Sequence, residues 1–363
     1  LNPGRIDSIP MEDDGSAIVM TNQAMNNLYN ERAWQGIPSV EIVGPNHLLM
    51  TWYSGGKGEG SGNYVTVAES MDNARTWKKN ALIIAPPGKE YRVFDPAIWK
   101  DAKGKVHLYW AQSKGMWDGK GGVWTSVLTF KTDTIIASKP IRQMAGVMLN
   151  KPTNISQTTF LMPVSYWRFH PSPEASSGAM VFQATYNTSS TGYAVSTAHP
   201  VKIPLDNSIR MFDEHDIVVI GVNKLLCLLR TTKGIYYSQS NDNGLTWTKG
   251  QPFTAVGPTI ASRFHIAKLK SGNILLVLNA SGTIRNNLKA FLSTDNAKTW
   301  TRSLLLDPRD NVSYPDAAFD NNGNIFVSYD RNRSTDKEIN LAVFKESDFF
   351  TPGARAKIML IDK

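Results

Sequence analysis

Five short segments set charged or polar side chains against otherwise apolar sequence. Phe212-Asp213-Glu214-His215-Asp216 is an acidic cluster directly before the apolar stretch Ile217–Ile220. Arg230 ends Leu225-Leu-Cys-Leu-Leu-Arg and so puts a guanidinium at the end of a buried strand, where it needs an anionic partner. Arg285 lies just before Asn286-Asn-Leu-Lys-Ala-Phe-Leu, and Ser313-Tyr314-Pro315-Asp316 precedes the turn Asp320-Asn-Asn-Gly-Asn. The fifth segment, Gly55-Gly-Lys-Gly-Glu59-Gly-Ser-Gly-Asn63-Tyr64, carries a carboxyl among glycines that let the backbone approach a ligand closely. These isolated groups are the candidates for contact with a ligand, so the first requirement is an architecture that gathers residues this far apart.

That architecture is written in repeats. Ser70-Met-Asp72-Asn-Ala-Arg-Thr76-Trp77, Ser240-Asn-Asp242-Asn-Gly244-Leu-Thr246-Trp247 and Ser293-Thr-Asp295-Asn-Ala-Lys-Thr299-Trp300 share one eight-residue pattern. It reads as a hairpin turn: an Asp bonding its own turn's amides, an Asn or Gly tolerating positive φ, then Thr and a packing Trp that start the next strand. A Gly/Asn turn followed by an apolar strand recurs at Gly44, Gly104, Asn223, Gly272 and Gly323, with the strand Thr159–Pro163 filling the gap. The six starts lie about one four-stranded blade apart, and no window shows helical periodicity. Sheets with two apolar faces are buried by packing around an axis. The expectation is an all-β chain, a single six-bladed β-propeller over residues 1–363, with residues 1–30 closing the last blade. The Pro/Gly/Ser clusters at 54–62 and 171–178 read as loop tips rather than hinges between two β-sandwiches.

Composition excludes several classes. In 363 residues, 39 Lys+Arg against 31 Asp+Glu give +8, but the basic residues are dispersed and no run of five or six exists. A solvated surface is therefore favoured over a nucleic-acid face, with acidic glycans the remaining polyanionic partner. The single Cys227 cannot form an internal disulfide, and the six histidines have no metal-ligand spacing, so no cofactor or metal is expected. No apolar run is long enough for a membrane span, and Asp7, Glu12, Asp13 and Asp14 fall where a signal peptide would be apolar. A processed secreted or periplasmic form, acting as a monomer, fits these features.

At the five segments the chain resembles the sialidase (neuraminidase) superfamily of glycosidases, the BNR or Asp-box repeat proteins, over most of its length. The resemblance implies a six-bladed propeller with a Tyr nucleophile activated by a Glu, three arginines on the substrate carboxylate, and an Asp acid/base. Carried over by order, Glu214 precedes Arg230 by 16 residues, Arg285 follows 55 later, and Tyr314 comes 29 after that. Tyr314 is then the nucleophile, Glu214 its base, and Arg230 and Arg285 the anion grip. The pairing is chemically reasonable: a carboxylate on the anomeric carbon repels an anionic nucleophile, whereas a neutral phenol deprotonated as it attacks avoids that repulsion.

Two positions depart from the family pattern. Where the family has Phe/Tyr-Arg-Ile-Pro this chain has Trp34-Gln35-Gly36-Ile37-Pro38, so Gln35 or Gly36 occupies the slot of the first arginine. Lys151, Arg92 (in Tyr91-Arg92-Val-Phe-Asp95-Pro, with Asp95 as a further ligand group) and Arg32 are candidate replacement cations. Glu59 stands for the acid/base Asp, one methylene longer.

The leading expectation is a retaining exo-glycosidase releasing a terminal acidic, sialic-acid-like sugar from glycans. The alternatives are a propeller lyase acting on uronate polymers, with Tyr314, His215 or His265 abstracting the proton, and a non-catalytic glycan-binding propeller. Smaller expectations concern Trp117 to Trp124, as an aromatic lip or a blade-edge turn, and Tyr329-Asp330-Arg331-Asn-Arg333, as an internal seal of the last blade. Arg263 either points into the channel or pairs with Asp316.

Overall fold

The computed structural model describes residues 15–30, 32–168 and 176–363. They form six antiparallel sheets, one per blade, each running in chain order from an innermost strand outward except that Ile18–Met20 is added to the outer edge of the first. The innermost strands are Gln35–Gly44, Tyr91–Lys100, Thr153–Asn154, Asp213–Gly221, His265–Lys268 and Val312–Phe319. The six apolar strands recognised in the sequence are the second strands of the blades: His47–Ser54, Val106–Lys114, Thr159–Tyr166, Lys224–Thr231, Ile274–Asn279 and Asn324–Arg331. They read as continuous apolar runs because both faces are covered by neighbouring blades. Thus Leu226, Leu228 and Val218 of the fourth blade pack against Ile266, Ile274 and Leu276 of the fifth.

The Ser-x-Asp turns join third to fourth strands in the first, fourth and fifth blades. In the first, Asp72 Oδ1 accepts from Ser70 Oγ (2.9 Å) and the Thr76 amide (2.8 Å), while Thr76 Oγ1 donates to Oδ2 (2.5 Å). Ala74 takes φ 68° where Gly244 takes 88°, and the Ser hydroxyl accepts the amide of that residue. These turns lie at the outer rim and carry no site residue.

The N-terminal segment was expected on the last blade. Instead Ile18–Met20 pairs with the outer strand Lys78–Ala85 of the first blade, and residues 1–14 lie outside the described residues. The last blade is built wholly from the C-terminal chain, residues 312–362.

Four inner strands share one irregularity near their start. Ile37-Pro38, Asp95-Pro96, Glu214-His215 and Tyr314-Pro315 are each a pair of residues opposed by a single partner residue on the second strand, a β-bulge. The first residue of each pair has a left-handed backbone, with φ of 60°, 47°, 44° and 57°. Proline suits the second position of three of them because the bulge leaves that N–H without a ladder partner.

An innermost strand is also a sheet edge, and its free amides need acceptors. Buried side chains of other blades provide them. Asp316 Oδ2 accepts from Ser39 Oγ (2.6 Å) and the Val40 amide (2.9 Å), and Ser39 Oγ accepts the Ile98 amide (3.0 Å). Asp216 Oδ2 accepts the Ile266 amide (3.0 Å), and Asp330 Oδ2 the Ile37 amide (2.7 Å). Ser39 thus ties the sixth, first and second blades at one point. Replacing it with Ala leaves a buried amide and a carboxylate oxygen short of a partner, and should cost about 1–3 kcal/mol in the denaturant-unfolding free energy. A loss below about 0.5 kcal/mol would mean that these groups find other partners.

Candidate functional site

The bulges raise Asp95, Glu214 and Tyr314 at one end of the central channel, because all inner strands run the same way and each bulge lies near the strand start. The central contact is a triangle. Tyr314 Oη donates to Glu214 Oε1 at 2.7 Å, and Arg230 Nη1 donates to both, at 2.8 Å to Glu214 Oε1 and 2.6 Å to Tyr314 Oη. Arg230 and Asp213 are direct cross-strand partners, so the β-ladder sets the Glu214–Arg230 approach. Asn150 holds the bulge from the channel side, donating to the carbonyls of Glu214 (2.8 Å) and His215 (3.0 Å).

Two more guanidiniums face the Tyr314 ring, Arg285 with Cζ 5.1 Å from its centroid and Arg333 with Cζ at 4.2 Å. Arg285 makes no hydrogen bond or ion pair with the described residues. Arg333 is fixed by Asp330 (Nε to Oδ2, 2.9 Å) and by Ser313 (Nη2 to Oγ, 3.2 Å). Burial pushes the Tyr314 phenol up to about 12 against the opposing pull of Arg230, Arg285 and Arg333, with Glu214 adding to the rise. The phenol is therefore neutral at physiological pH, with a carboxyl oxygen in place to receive its proton.

Beside this group lie Asp95, Arg92, Glu59 and Tyr53. Asp95 is buried and its carboxyl is raised to about 7, first by burial and then by the charges of Glu59 and Glu214, with Arg92 pulling it back. Arg92 is fully buried with Cζ 3.5 Å over the Phe94 ring, and its Nε and Nη1 have no hydrogen-bond partner. Glu59, on the exposed glycine-rich loop, accepts the Tyr53 hydroxyl. An arc of rings backs the group, from Trp34 through Tyr53, Phe94 and Trp167 to Phe212, with neighbouring centroids 4.8–6.3 Å apart. Trp117 extends this arc by packing on Trp167 at 5.1 Å, while Trp124 is buried within the strand Gly122–Lys131.

Other candidates are placed elsewhere. Lys151 is drawn into the channel, donating to the carbonyls of Val40 and Ala317 and pairing with Asp316 at 3.3 Å, so it does not join Tyr314. Gln35 is fully buried with its amide occupied by Trp52 Nε1 (2.9 Å) and the Lys337 carbonyl (2.7 Å). Arg32 bonds Asp362 and Asn80 at the junction of the first and last blades. Arg263 both enters the channel, bonding Asn150 (3.0 Å), and lies 3.7 Å from Asp316. His215 contacts the Met180 carbonyl at 2.7 Å, and burial lowers its imidazole below the usual range. His265 sits beside Asp216 at 3.0 Å, well along the channel. A cavity of about 970 Å³ at the opposite channel mouth is lined by the far ends of the same strands, including Glu41, Lys151, Asp216 and His265, and contains none of the Tyr314 group. Among the described residues no three His, Cys, Asp or Glu side chains converge to hold a metal ion, and no helix is long and apolar enough to cross a membrane.

Sequence reasoning assigned Arg333 to an internal seal and left Gly36 and Gln35 undistinguished. The recurring X-Pro at inner-strand starts was the signal available for the bulges.

Comparison with known proteins gives a consistent frame. The family model described as a BNR repeat-like domain matches residues 46–327. No curated protein matches. Among solved structures, the Hadza microbial sialidase Hz136 superposes with TM-score 0.63 at 17% identity, over 86% of this chain and 66% of that one. A protein of unknown function from Dyadobacter fermentans gives 0.63 at 14% identity, over 94% and 96%. The Trypanosoma rangeli sialidase, solved as a covalent intermediate with difluorosialic acid, gives 0.60 at 13% identity, over 93% and 57%. At such identities the likeness is one of fold, the sialidase type of six-bladed propeller.

The Asp95 carboxyl predicts a measurable linkage. Its folded value is raised from 3.8 to about 7, so the folded state binds the extra proton and stability falls as pH rises between those values, then levels off. Asp95→Asn removes this term. Its unfolding free energy relative to wild type should climb between pH 4 and pH 7, by up to about 1.4 kcal/mol per pH unit, with Tm following in the same direction, and stay flat above. A Tm difference independent of pH would show that Asp95 is ionised throughout.

Proposed function

The chain belongs to the BNR repeat-like domain family, and from that premise we propose that it is a retaining exo-glycosidase of the sialidase type, releasing a terminal acidic sugar from glycans. The observation that carries the reading is the Tyr314–Glu214 hydrogen bond of 2.7 Å, at a site with three guanidiniums around the phenol. A Tyr held neutral by burial needs a base at the moment of attack, and Glu214 Oε1 is in hydrogen-bond reach. An anion on the sugar has Arg230 and Arg285 to meet it.

In the proposed reaction Tyr314 Oη forms a bond to the anomeric carbon as its proton passes to Glu214 Oε1. The bond from that carbon to the glycosidic oxygen breaks, and Glu59 protonates the leaving oxygen. In the second half Glu59, now ionised, takes a proton from water whose oxygen attacks the anomeric carbon, the bond from that carbon to Tyr314 Oη breaks, and Glu214 returns its proton to the phenolate oxygen. Two displacements leave the anomeric configuration unchanged. Neither His215 nor His265 lies at this phenol, which removes the two histidine bases of the lyase reading.

The test is release of fluorophore from the aryl α-ketoside of N-acetylneuraminic acid. Wild type should turn over with retention, Tyr314→Phe should be inactive while folded, and Glu214→Gln should lose about 10²–10⁴-fold in kcat. Turnover undiminished in Tyr314→Phe, or a product of inverted configuration, would overturn the mechanism. No turnover by folded wild type would move the search to other acidic sugars.

A further inference from the structure

Three of the four inner-strand bulges have proline in second place, at Pro38, Pro96 and Pro315. In the fourth, at Glu214, that place is taken by His215, which leaves φ free. The strain is also greater there, since Asp213 and Glu214 are both left-handed, with φ of 59° and 44°. The carboxyl group on this backbone is held through one oxygen. Glu214 Oε1 accepts from Arg230 Nη1 at 2.8 Å and from Tyr314 Oη at 2.7 Å, while Oε2 is buried with no hydrogen-bond partner among the described residues. Its aim therefore rests on Arg230 and on a backbone that no proline stiffens.

The two blades without a bulge supply what is missing. Their inner strands are short, Thr153–Asn154 in the third and His265–Lys268 in the fifth, and pair in unbroken register. Ahead of each the chain puts a buried polar side chain into the channel, Asn150 from the third and Arg263 from the fifth. Asn150 Nδ2 donates to the carbonyls of Glu214 (2.8 Å) and His215 (3.0 Å), so both its N–H groups serve the bulge. Its Oδ1 accepts Arg263 Nε at 3.0 Å, which fixes the way round the amide lies: a guanidinium only donates, so the oxygen must face it and the NH2 must face the bulge. Arg263 is steadied in turn by the Pro38 carbonyl (Nη1, 3.3 Å) and has Asp316 Oδ1 3.7 Å from Nη2. No step of the glycosidase scheme uses either residue.

We infer that Asn150, turned by Arg263, is a positioning residue for the proposed reaction: it holds the Glu214 backbone in the conformation that proline secures in the other three bulges, and so keeps the carboxyl oxygen on the Tyr314 hydroxyl. The Asn150 side chain bonds only the two bulge carbonyls and Arg263, so it reaches the chemistry through the place of Glu214 alone. That Glu214 acts as a base rests on the glycosidase reading; that Asn150 keeps Glu214 against Tyr314 does not.

The experiment is a double-variant cycle on the aryl α-ketoside of N-acetylneuraminic acid. Asn150→Leu nearly keeps the side-chain volume and removes its donors. It should lower kcat about ten- to a hundredfold with KM within about twofold of wild type. In a Glu214→Gln background, where no carboxylate remains to take the proton, the same substitution should cost less than about twofold. A kcat unchanged by Asn150→Leu, a loss carried by KM, or a loss that repeats in full in Glu214→Gln overturns the inference and leaves the glycosidase reading intact. Crystal structures of wild type and Asn150→Leu give a readout free of turnover. The separation of Tyr314 Oη and Glu214 Oε1 should open beyond about 3.5 Å, out of hydrogen-bond reach; an unchanged separation overturns the inference. Should folded wild type show no turnover, the glycosidase reading falls and this separation decides alone. Should Asn150→Leu fail to fold, Asn150→Asp, which can still accept from Arg263 but has no N–H for the carbonyls, is judged by the same criteria.

Discussion

The site depends on a backbone conformation that its residues do not favour. Left-handed φ values at Ile37, Asp95, Glu214 and Tyr314 cost of order 1–3 kcal/mol each. They persist because each bulge is fixed on both sides, by the strand ladder that resumes beyond it and by buried polar side chains from other blades. In a regular strand, alternation would send successive side chains to opposite faces. The extra residue breaks that alternation and directs a side chain along the channel axis, toward the mouth. Bulges in four inner strands thus convert a ring of sheets into a ring of convergent functional groups.

The electrostatics follow from the same arrangement. Carboxylates are placed where edge amides and guanidiniums need them: Asp216, Asp316 and Asp330 each take a backbone N–H from an adjacent blade. Along the channel positive and negative charges pair closely, as Lys151 does with Asp316. Burial works to raise the Asp316 carboxyl, and its cationic neighbours, Lys151 foremost, outweigh it and hold the group below its usual range. At the mouth Tyr314 and the aromatic rings contribute no charge, and around them Arg92, Arg230, Arg285 and Arg333 stand among Glu59, Asp95, Glu214 and Asp330.

Much of this was legible in the sequence because propeller blades are local. Apolar second strands and Ser-x-Asp turns announce themselves within a few residues, and six of the former fix the blade number. Glu214, Arg230 and Tyr314 were legible through the family resemblance that their order fits, and the structure draws these three into contact between the fourth and sixth blades. Lys151 was misleading because a Lys beside Pro in a polar segment reads as an available cation, whereas two strand-end carbonyls and a buried carboxylate capture it. Arg333 escaped notice because its position depends on what Gly36 lacks, 297 residues away in sequence, where a Cβ would lie 2.8 Å from Arg333 Cδ. The register of a bulge is likewise a property of two strands, although three X-Pro pairs hinted at it. The N-terminal segment was misassigned since a short apolar triplet such as Ile18–Met20 can extend any exposed outer strand, and chain proximity favoured the first blade.

Each described sheet is drawn from one continuous stretch of chain, with no strand lent to or borrowed from another blade. In evolutionary terms the blade is then the natural unit of inheritance: duplication or loss of one stretch of some fifty residues would add or remove a whole sheet without cutting a β-ladder. What keeps the number at six is the dissimilarity of the joints. Ser39 meets Asp316, Asp216 meets Ile266, and Gly36 admits Arg333; an inserted copy of any blade would present the wrong chemistry to at least one neighbour. The repeats are interchangeable at the rim and individual at the axis, so divergence there both preserves the ring and supplies the unlike groups from which an active centre can be assembled.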